Sequence, residues 1–298
     1  MTQHFLVTGG TGQVGRELAR LIWPAGFVPV FPERTTLDLT DPVSIARMLD
    51  ADKYDWAGVI NCAAYTAVDR AEEDVANAFL ANAQGPAWLA EAAHARGLPI
   101  IQVSTDYVFD GLGQGAYREC APIGPIGAYG ASKLAGELAV RAANPASIVL
   151  RTAWVLSPFG SNFLKTMLRL AESRPELRVV ADQHGCPTSA KDIAQVLQRL
   201  GMRLAQDPAC PTGVFHFVNM GEASWYELAQ FILARSAALG GPRALVEPIA
   251  TADYPTPARR PLNSRLAGDK LIEQFGVQPR HWHEAVAEIV AELVQTSK

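Results

Sequence analysis

The sequence lacks the features that mark membrane-spanning, secreted and nucleic-acid-binding proteins. None of its apolar runs approaches the roughly 18 residues of a membrane span. The chain passes from Met1 to a predicted strand by Phe5, without the charged and apolar regions of a secretion signal. Basic residues form no long run, and the net charge is −4. We therefore expect neither nucleic acid nor an anionic membrane as the main partner.

Cysteine is also scarce. Cys62, Cys120, Cys186 and Cys210 are scattered, without the spacing of a disulfide framework or a metal site. This favours a reduced, cytoplasmic compartment. His184 and Cys186, in "DQHGCPT", are too few ligands for zinc. We interpret this segment as a loop and predict no metal site.

Short apolar runs alternate with helical patterns through the first half of the chain. The predicted strands are His4–Thr8, Phe27–Phe31, Gly58–Ala63, Pro99–Val103 and Ser147–Thr152. The predicted helices are Gln13–Trp23, Pro42–Leu49, a stretch from about Ala71 to Arg96, and Tyr129–Ala142. This alternation favours a doubly wound, mostly parallel α/β sheet of the Rossmann type.

The alternation loosens after about residue 155. Helical patterns cover Asn162–Ser173, Ala190–Leu204, Trp225–Ala238 and His283–Val294, and Pro242–Pro261 is predicted to be an extended loop. We expect a dinucleotide-binding domain over residues 1–155 and a mainly substrate-binding region over residues 156–298. A segment near residues 214–218 is expected to return to the first sheet as a strand.

The segment "VTGGTGQVG" places Gly9, Gly12 and Gly15 between a predicted strand and a predicted helix. In that context the first glycine allows a tight turn, the second a close approach to a pyrophosphate, and the third helix–sheet packing. The free N–H groups of the helix then attract phosphate. We predict a dinucleotide site here.

The end of the second strand ordinarily reads the adenosine ribose. Glu33 favours NAD, because it can hold a free 2′-hydroxyl, and Arg34 favours NADP, because it can pair with a 2′-phosphate. Asp38 is interpreted either as a contact to the adenine edge or as a turn residue.

Polar residues follow the strand at Pro99–Val103, and a tyrosine and a lysine lie four residues apart beyond it. Tyr129 and Lys133, in "GAYGASKLAGEL", share one helix face. A tyrosine has a pKa near 10, and a neighbouring ammonium lowers it. Thr105 lies where parallel strands present ligands. We predict that these three residues protonate a carbonyl oxygen while a hydride reaches its carbon.

These motifs resemble the extended short-chain dehydrogenase/reductases, and more narrowly the dTDP-4-dehydrorhamnose reductase family. The resemblance covers nearly the whole chain, through "GGTGQVG", "NCAAYTAVDRAE", "STDYVFDG", "AYGASKLAGE", "RTAWV" and "YPTPARRPLNSRL". It implies reduction of the 4-keto group of dTDP-4-dehydro-L-rhamnose to dTDP-L-rhamnose, a sugar donor in carbohydrate biosynthesis, by NADPH or NADH.

The resemblance also implies roles for individual residues. Tyr129 would donate the proton, Lys133 would assist it, and Thr105 would tune the transfer. The implied cofactor-binding residues are Gly9, Gly12, Gln13, Val14, Gly15, Asp38, Leu39, Ala63, Ala64, Tyr65, Thr66, Asn82, Ser104, Tyr129 and Lys133. The implied substrate-binding residues are Thr105, Asp106, Tyr107, Trp154, Arg259 and Arg260.

Several of these assignments have alternatives. Trp154 could be a core aromatic, Asp106 could cap the following turn, and Arg259 and Arg260 could be solvated. An epimerase or dehydratase of nucleotide sugars, or a non-catalytic regulatory subunit, would use the same fold. A dehydratase needs an acid where Tyr107 stands. Some family members dimerise with magnesium, so a homodimer is allowed for, with no magnesium ligands placed.

Overall fold

A six-stranded parallel sheet forms the centre of the protein, and the predicted fold class is confirmed. The computed structural model describes residues 2–296. Its strands are β1 (Gln3–Thr8), β2 (Phe27–Val30), β3 (Trp56–Asn61), β4 (Ile100–Thr105), β5 (Ser147–Thr152), β6 (Val155–Leu156), β7 (Glu176–Val180), β8 (His184–Gly185), β9 (Thr188–Ser189), β10 (Gly213–His216), β11 (Ala223–Ser224), β12 (Leu245–Ile249) and β13 (Asn263–Ser264). The central sheet has the order β10-β5-β4-β3-β1-β2, and all of its neighbours pair in parallel.

Helices cover both faces of this sheet. They are α1 (Gln13–Arg20), α2 (Pro42–Leu49), α3 (Val68–Ala71), α4 (Val75–Phe79), α5 (Gly85–His94), α6 (Ala128–Ala143), α7 (Phe163–Ala171), α8 (Ala190–Gln206), α9 (Trp225–Ala238), α10 (Asp269–Phe275) and α11 (Trp282–Thr296). Strand alternation divides the core: Phe5 and Val7 join the cluster of α1 and α8, whereas Leu6 joins that of α2 and α5. No helix within residues 2–296 combines the length and apolarity needed to traverse a bilayer.

A second core lies under α7, α9 and α11. It includes β7, which pairs in parallel with β12. The prediction of an extended loop over Pro242–Pro261 is therefore wrong for residues 245–249. The proline in "ALVEPI" argued against a strand, but Pro248 is tolerated because this sheet has only two strands, both of them edges.

The predicted helical stretch from about Ala71 to Arg96 is helical over most of its length, but it is not one regular helix. The chain forms α3, turns, forms α4, widens into a π-helical turn over Leu80–Gln84, and then continues as α5. Asn82 is buried within the wide turn, where its side chain bonds to groups outside the helix. Such widened turns occur often near functional sites.

Both edges of the central sheet carry groups that block further pairing. Pro29 lies in the edge strand β2 and offers no N–H. At the opposite edge, the His216 N–H donates to Glu119 Oε1 at 3.1 Å, and Lys270 Nζ donates to the Val214 carbonyl at 2.7 Å. Side chains therefore satisfy backbone groups of β10 that would otherwise face outward.

An ion pair shielded from water joins α6 to the sheet. Glu137 on α6 accepts hydrogen bonds from Arg151 Nε at 2.9 Å and from Arg151 Nη2 at 2.6 Å. Their side chains are only 2% and 4% exposed. The Ser104 hydroxyl, in β4, also donates to Glu137 at 2.5 Å. One carboxylate thus fixes α6 against both β4 and β5.

We expect Glu137→Gln to lower the free energy of unfolding by about 3 kcal/mol, because it leaves the Arg151 charge buried and uncompensated. The double variant Glu137→Gln/Arg151→Met should recover most of that loss. Denaturant unfolding followed by circular dichroism measures both. The control is Glu292→Gln, which removes the charge of the half-exposed pair between Arg20 and Glu292 and should change the value by less than about 1 kcal/mol. Similar small losses in the control and in Glu137→Gln would contradict this assignment.

Candidate active site

The carboxyl ends of β1, β3 and β4 are joined by a row of buried amide and hydroxyl groups. Thr8 Oγ1 donates to Asn61 Oδ1, and Asn61 Nδ2 donates to Gln102 Oε1 at 2.6 Å. Asn61 Oδ1 also accepts the Ala63 N–H at 3.2 Å. In the sheet, β2 lies on one side of β1, and β3, β4 and β5 follow one another on its other side. The strand order therefore reverses between β1 and β3. This row lies at that switch point, where α/β proteins bind ligands.

The glycine loop has the conformation that a dinucleotide requires. Gly9 has a φ of +70°, and a Cβ there would lie 2.7 Å from the Ala63 nitrogen. A Cβ on Gly15 would lie 2.2 Å from the Gly9 carbonyl oxygen, so α1 packs directly on the loop. A Cβ on Gly12 would meet only the Gly9 oxygen, at 3.3 Å, so the backbone is open there. The spacing predicted these three roles from the sequence.

The N-terminus of α1 offers donors for phosphate. Gly12 is its N-cap and supplies no side-chain cap, and its first turn carries no acidic residue. Its first N–H groups therefore keep the partial positive charge that favours an anion. Gln13, also in this turn, accepts a hydrogen bond from Asn162 Nδ2 at 2.9 Å, and Val14 packs against the core. These residues fit the pyrophosphate of an NAD(P) cofactor.

Asn82 fixes the segment that follows β3, which contains Ala63, Ala64, Tyr65 and Thr66. Its Oδ1 accepts the Tyr65 N–H at 2.7 Å, and its Nδ2 donates to the Tyr65 carbonyl at 3.0 Å and to Ser132 Oγ at 3.0 Å. The Asn82 amide is buried, and its bonds to Tyr65 and to Ser132 link this segment to α6.

Some residues after β2 are exposed to solvent, and others are held by hydrogen bonds or packing. Glu33 and Arg34 lie exposed, and Arg34 Nε is 3.7 Å from Asp38 Oδ2. Asp38 accepts hydrogen bonds from the N–H and hydroxyl of Thr40, at 2.9 and 2.7 Å, which fits its interpretation as a turn residue. These bonds lower the pKa of the Asp38 carboxyl. Leu39 is buried against Gly85, at the start of α5.

The polar residues after Val103 form the end of β4 and one turn of 3₁₀-helix, Asp106–Val108. Thr105 Oγ1 donates to Asp106 Oδ1 at 2.9 Å and accepts the Tyr107 N–H at 3.3 Å. Burial raises the pKa of Asp106 to about 6, against hydrogen bonds from Ser264 and Thr105 that lower it. Ser104 points away, toward Glu137. The turn residue Gly111, with a φ of +74°, follows this cluster.

Tyr129 lies beside Thr105 at the start of α6. Burial raises the pKa of Tyr129, and the nearby Thr105 hydroxyl opposes that rise. The Tyr129 ring meets the Tyr107 ring edge-on at 5.4 Å. The side chains of Thr105, Tyr107 and Tyr129 therefore lie together at the carboxyl end of β4.

Lys133 is placed differently from the prediction. Its Nζ donates to the Val103 carbonyl at 2.7 Å, and burial lowers its pKa to about 8, although Glu137 and Cys62 oppose the shift. Lys133 is not among the groups that shift the pKa of Tyr129. Burial dominates the pKa of Tyr129 and raises it, so the expectation that the Lys133 ammonium lowers this pKa is wrong.

Two further carboxylates support the site, and sequence reasoning did not single them out. Glu72 Oε1 accepts the Ala128 N–H at 2.9 Å and so caps the helix that carries Tyr129. A Cβ on Gly127 would lie 2.6 Å from that oxygen, so the glycine before the helix was the available signal. Asp69, on α3, contacts the loop before β13.

Trp154 combines core packing with unusual backbone geometry. It is the non-glycine residue with positive φ, +46°, within residues 2–296. Its ring stacks on Trp225 with centroids 3.5 Å apart, and a Cβ on Gly185 would clash with it. These contacts match the alternative interpretation as a core aromatic, while the strained backbone fits a functional position.

The two arginines of "PARRPL" have different surroundings. Arg259 is exposed. Arg260 is half-buried, and its Nη2 lies 2.7 Å from Asp69 Oδ2. Its charge lowers the pKa of Tyr107, against the larger effect of burial, which raises it. Within residues 2–296, no group of three or more histidine, cysteine or acidic side chains could hold a metal ion.

Comparison with known proteins gives a consistent match over the whole chain. A family model described as the RmlD substrate binding domain matches residues 3–295. A dTDP-4-dehydrorhamnose reductase of Sinorhizobium fredii is 47% identical over 80% of this chain and 81% of the relative. The reductase of the same name from Escherichia coli is 38% identical over 99% of both chains.

Solved structures agree with these relatives. A dTDP-4-dehydrorhamnose reductase of Clostridium acetobutylicum has a TM-score of 0.90 and 37% identity, covering 98% of this chain and 99% of its own. The same enzyme from Bacillus anthracis, solved in complex with NADP, has a TM-score of 0.90 and 32% identity, covering 98% and 100%. A dTDP-glucose 4,6-dehydratase of Streptomyces venezuelae, with 20% identity and a TM-score of 0.76, shares the fold.

The depressed pKa of Lys133 makes stability depend on pH in a defined window. Between about pH 8 and its ordinary value of 10.5, the unfolded chain holds a proton at this lysine that the folded protein has lost. Raising the pH across this window therefore favours folding. We expect the wild-type free energy of unfolding to rise relative to Lys133→Met by about 1.4 kcal/mol per pH unit. Below pH 8 the difference in the free energy of unfolding between the wild type and Lys133→Met should be constant. Urea unfolding at half-unit intervals measures it, and a flat difference up to pH 10.5 would contradict the buried, deprotonating lysine.

Proposed function

The chain belongs to the RmlD substrate-binding-domain family of dTDP-4-dehydrorhamnose reductases, and we propose that it uses Tyr129 and Thr105 to reduce dTDP-4-dehydro-L-rhamnose to dTDP-L-rhamnose. It is an NAD(P)H-dependent oxidoreductase that acts on the 4-keto group. The observation that carries the residue assignment is that the buried Thr105 and Tyr129 side chains lie together at the carboxyl end of β4, close enough for Thr105 to lower the pKa of Tyr129 against the larger effect of burial.

The glycine loop, the N-terminus of α1 and the segment Ala63–Thr66 hold the cofactor. When bound, NADPH or NADH supplies the hydride for the 4-keto carbon. The close approach that Gly12 permits, and the free N–H groups of α1, support placement of the pyrophosphate there. Asn82 acts behind this surface, because its three hydrogen bonds set the path of the backbone at Tyr65.

Tyr129 donates the proton to the 4-oxygen. Its raised pKa keeps the phenol protonated at neutral pH, so the donor is present when the substrate binds. The Thr105 hydroxyl, beside Tyr129, can accept or donate a hydrogen bond to the reacting oxygen. Asp106 Oδ1 accepts the hydrogen bond that holds this hydroxyl in place. Lys133 can turn from the Val103 carbonyl toward the ribose, and at neutral pH its ammonium form dominates. A charge brought closer to the phenol would then lower the pKa of Tyr129 as the proton leaves.

Tyr107 favours the reductase over a dehydratase. It occupies the place where a dehydratase would carry an acid, and burial raises the pKa of its phenol further. The fold alone does not separate these activities, because the Streptomyces dehydratase shares it. The third alternative, a non-catalytic subunit, has no chemical need for Thr105, Tyr129 and Lys133 together.

The substrate lies between the end of β4 and the loop before β13. Arg260 is the better of the two arginines for binding its diphosphate, since the guanidinium is held near Tyr107, whereas Arg259 extends into solvent. Trp154 and Asp106 border the same space from β5 and β4. We also propose a cytoplasmic location and a homodimer, on the basis of the reductive chemistry and the family.

Tyr129→Phe tests the proton donor. The ring keeps its packing against Tyr107, so cofactor binding measured by fluorescence titration should be unchanged. Loss of the donor should lower kcat by roughly 10²–10⁴, the usual contribution of general acid catalysis. Tyr226→Phe is the control, because it removes only an exposed hydroxyl bonded to Gln230. Wild-type turnover in Tyr129→Phe would remove this residue from the mechanism.

The stoichiometry of the reaction separates the reductase from the two alternatives. A reductase consumes its cofactor, whereas an epimerase or dehydratase returns the hydride to its substrate. We expect one NADPH or NADH to be oxidised per 4-keto sugar reduced. The loss of absorbance at the wavelength of the reduced nicotinamide is compared with product counted by chromatography. Product formed without net cofactor oxidation would favour an epimerase or dehydratase instead.

A further inference from the structure

The loop before β13 is held from two sides. A Cβ on Gly111, in the loop after β4, would lie 2.4 Å from Pro261 Cβ, so the two backbones are in close contact. The Asn263 N–H also donates to the Gly111 carbonyl at 3.1 Å. On its other side the loop meets α3, which lies far away in sequence. Arg260 is therefore carried on a segment whose path is fixed at both ends.

Asp69 supplies the contact from α3, and it uses both carboxylate oxygens. Oδ1 accepts the Ala258 N–H at 3.2 Å, and Oδ2 accepts Arg260 Nη2 at 2.7 Å. One oxygen thus holds the loop backbone and the other holds the guanidinium. Arg260 presents a rigid fork of five donors, so fixing one nitrogen fixes the direction of the rest.

Arg260 retains at least one donor, Nη1, that makes no hydrogen bond to the described residues. Nη1 is shielded from water and has no hydrogen-bond partner among residues 2–296. An unpaired donor in that position is unfavourable, so an anion that reached it would be stabilised. The Arg260 side chain remains 21% exposed, which leaves one side open to a ligand. The charges of Arg260 and Asp69 both shift the pKa of Tyr107, whose ring packs against that of Tyr129.

The pair contributes little to stability, which points to another role. The Asp69 side chain is 44% exposed, and ion pairs this accessible stabilise folded proteins weakly. What the contact does determine is orientation, because an arginine on a proline-rich loop otherwise samples many rotamers.

We propose that Asp69 is a positioning residue, which orients the Arg260 guanidinium so that its unpaired donors bind the diphosphate of the nucleotide sugar. The proposal rests on the proposed function, since it takes the ligand to be a nucleoside diphosphate sugar. It predicts an effect on substrate affinity without an effect on the chemical step.

Asp69→Asn is the informative change. The asparagine oxygen can still accept the Ala258 N–H, so the loop backbone keeps its contact and only the charged contact to Arg260 is lost. Glu73→Gln is the matched control, because it removes one exposed carboxylate beyond α3 that has no contact with Arg260. The ligand is dTDP, measured by calorimetric titration, which binds without reacting.

We expect Asp69→Asn to raise the Kd for dTDP about tenfold, in line with a charge-assisted hydrogen bond, and Glu73→Gln to leave it unchanged. Arg260→Ala should raise it by at least as much, and Asp69→Asn/Arg260→Ala should lose no more than Arg260→Ala alone. In steady-state assays KM should rise in Asp69→Asn while kcat stays within about twofold, and the Kd for NADPH should stay constant.

Two outcomes would overturn the proposal. One is wild-type dTDP affinity in Asp69→Asn, and the other is an equal loss from that change in the Arg260→Ala background, which would mean that Asp69 acts without the arginine. Failure of the proposed function would look different, because the wild-type protein would then either bind no dTDP or form product without net oxidation of NADPH or NADH. Thermal unfolding of each variant identifies a folding defect, and Arg260→Lys, which keeps the charge without the fork, should also weaken dTDP binding.

Discussion

The arrangement of the active site depends on the ion pair between Glu137 and Arg151. Both side chains are buried, and an unpaired buried charge would be strongly destabilising. The ion pair therefore holds α6 and β5 in one relative position. Ser104 brings β4 into the same contact. Lys133 and Tyr129 lie four and eight residues before Glu137, on the same face of the same helix. The donor and its lysine are therefore placed by a contact that lies one or two turns away from the chemistry.

The two halves of the site differ in how they are held. The cofactor side is built on strand ends whose amides and hydroxyls bond to one another, from Thr8 through Asn61 to Gln102. The substrate side is built on a loop that follows β12 and is held at Gly111 and at α3. This division suits an enzyme that must keep a hydride donor in fixed geometry while a nucleotide sugar enters and leaves.

Motifs confined to one strand–loop–helix unit could be predicted from the sequence. The glycine loop, the placement of Tyr129 and Lys133 on one helix, and the parallel sheet all depend on local spacing. Glu72 and Asp69 could not be predicted, because their partners lie 56 and 191 residues away in the chain. The pKa of Tyr129 was misjudged for a related reason: burial depends on everything packed around the phenol, whereas the spacing of Lys133 reports one neighbour.

The closed edges of the central sheet limit how copies of this chain can associate. An open edge invites a strand from another molecule and is the usual starting point of ordered aggregation. Pro29 removes a donor from one edge, and Glu119 and Lys270 occupy a donor and an acceptor on the other. Two copies of this chain can hardly extend each other's central sheet through these edges. In the folded protein, the same side chains disfavour the strand-to-strand contacts from which cross-β fibrils grow.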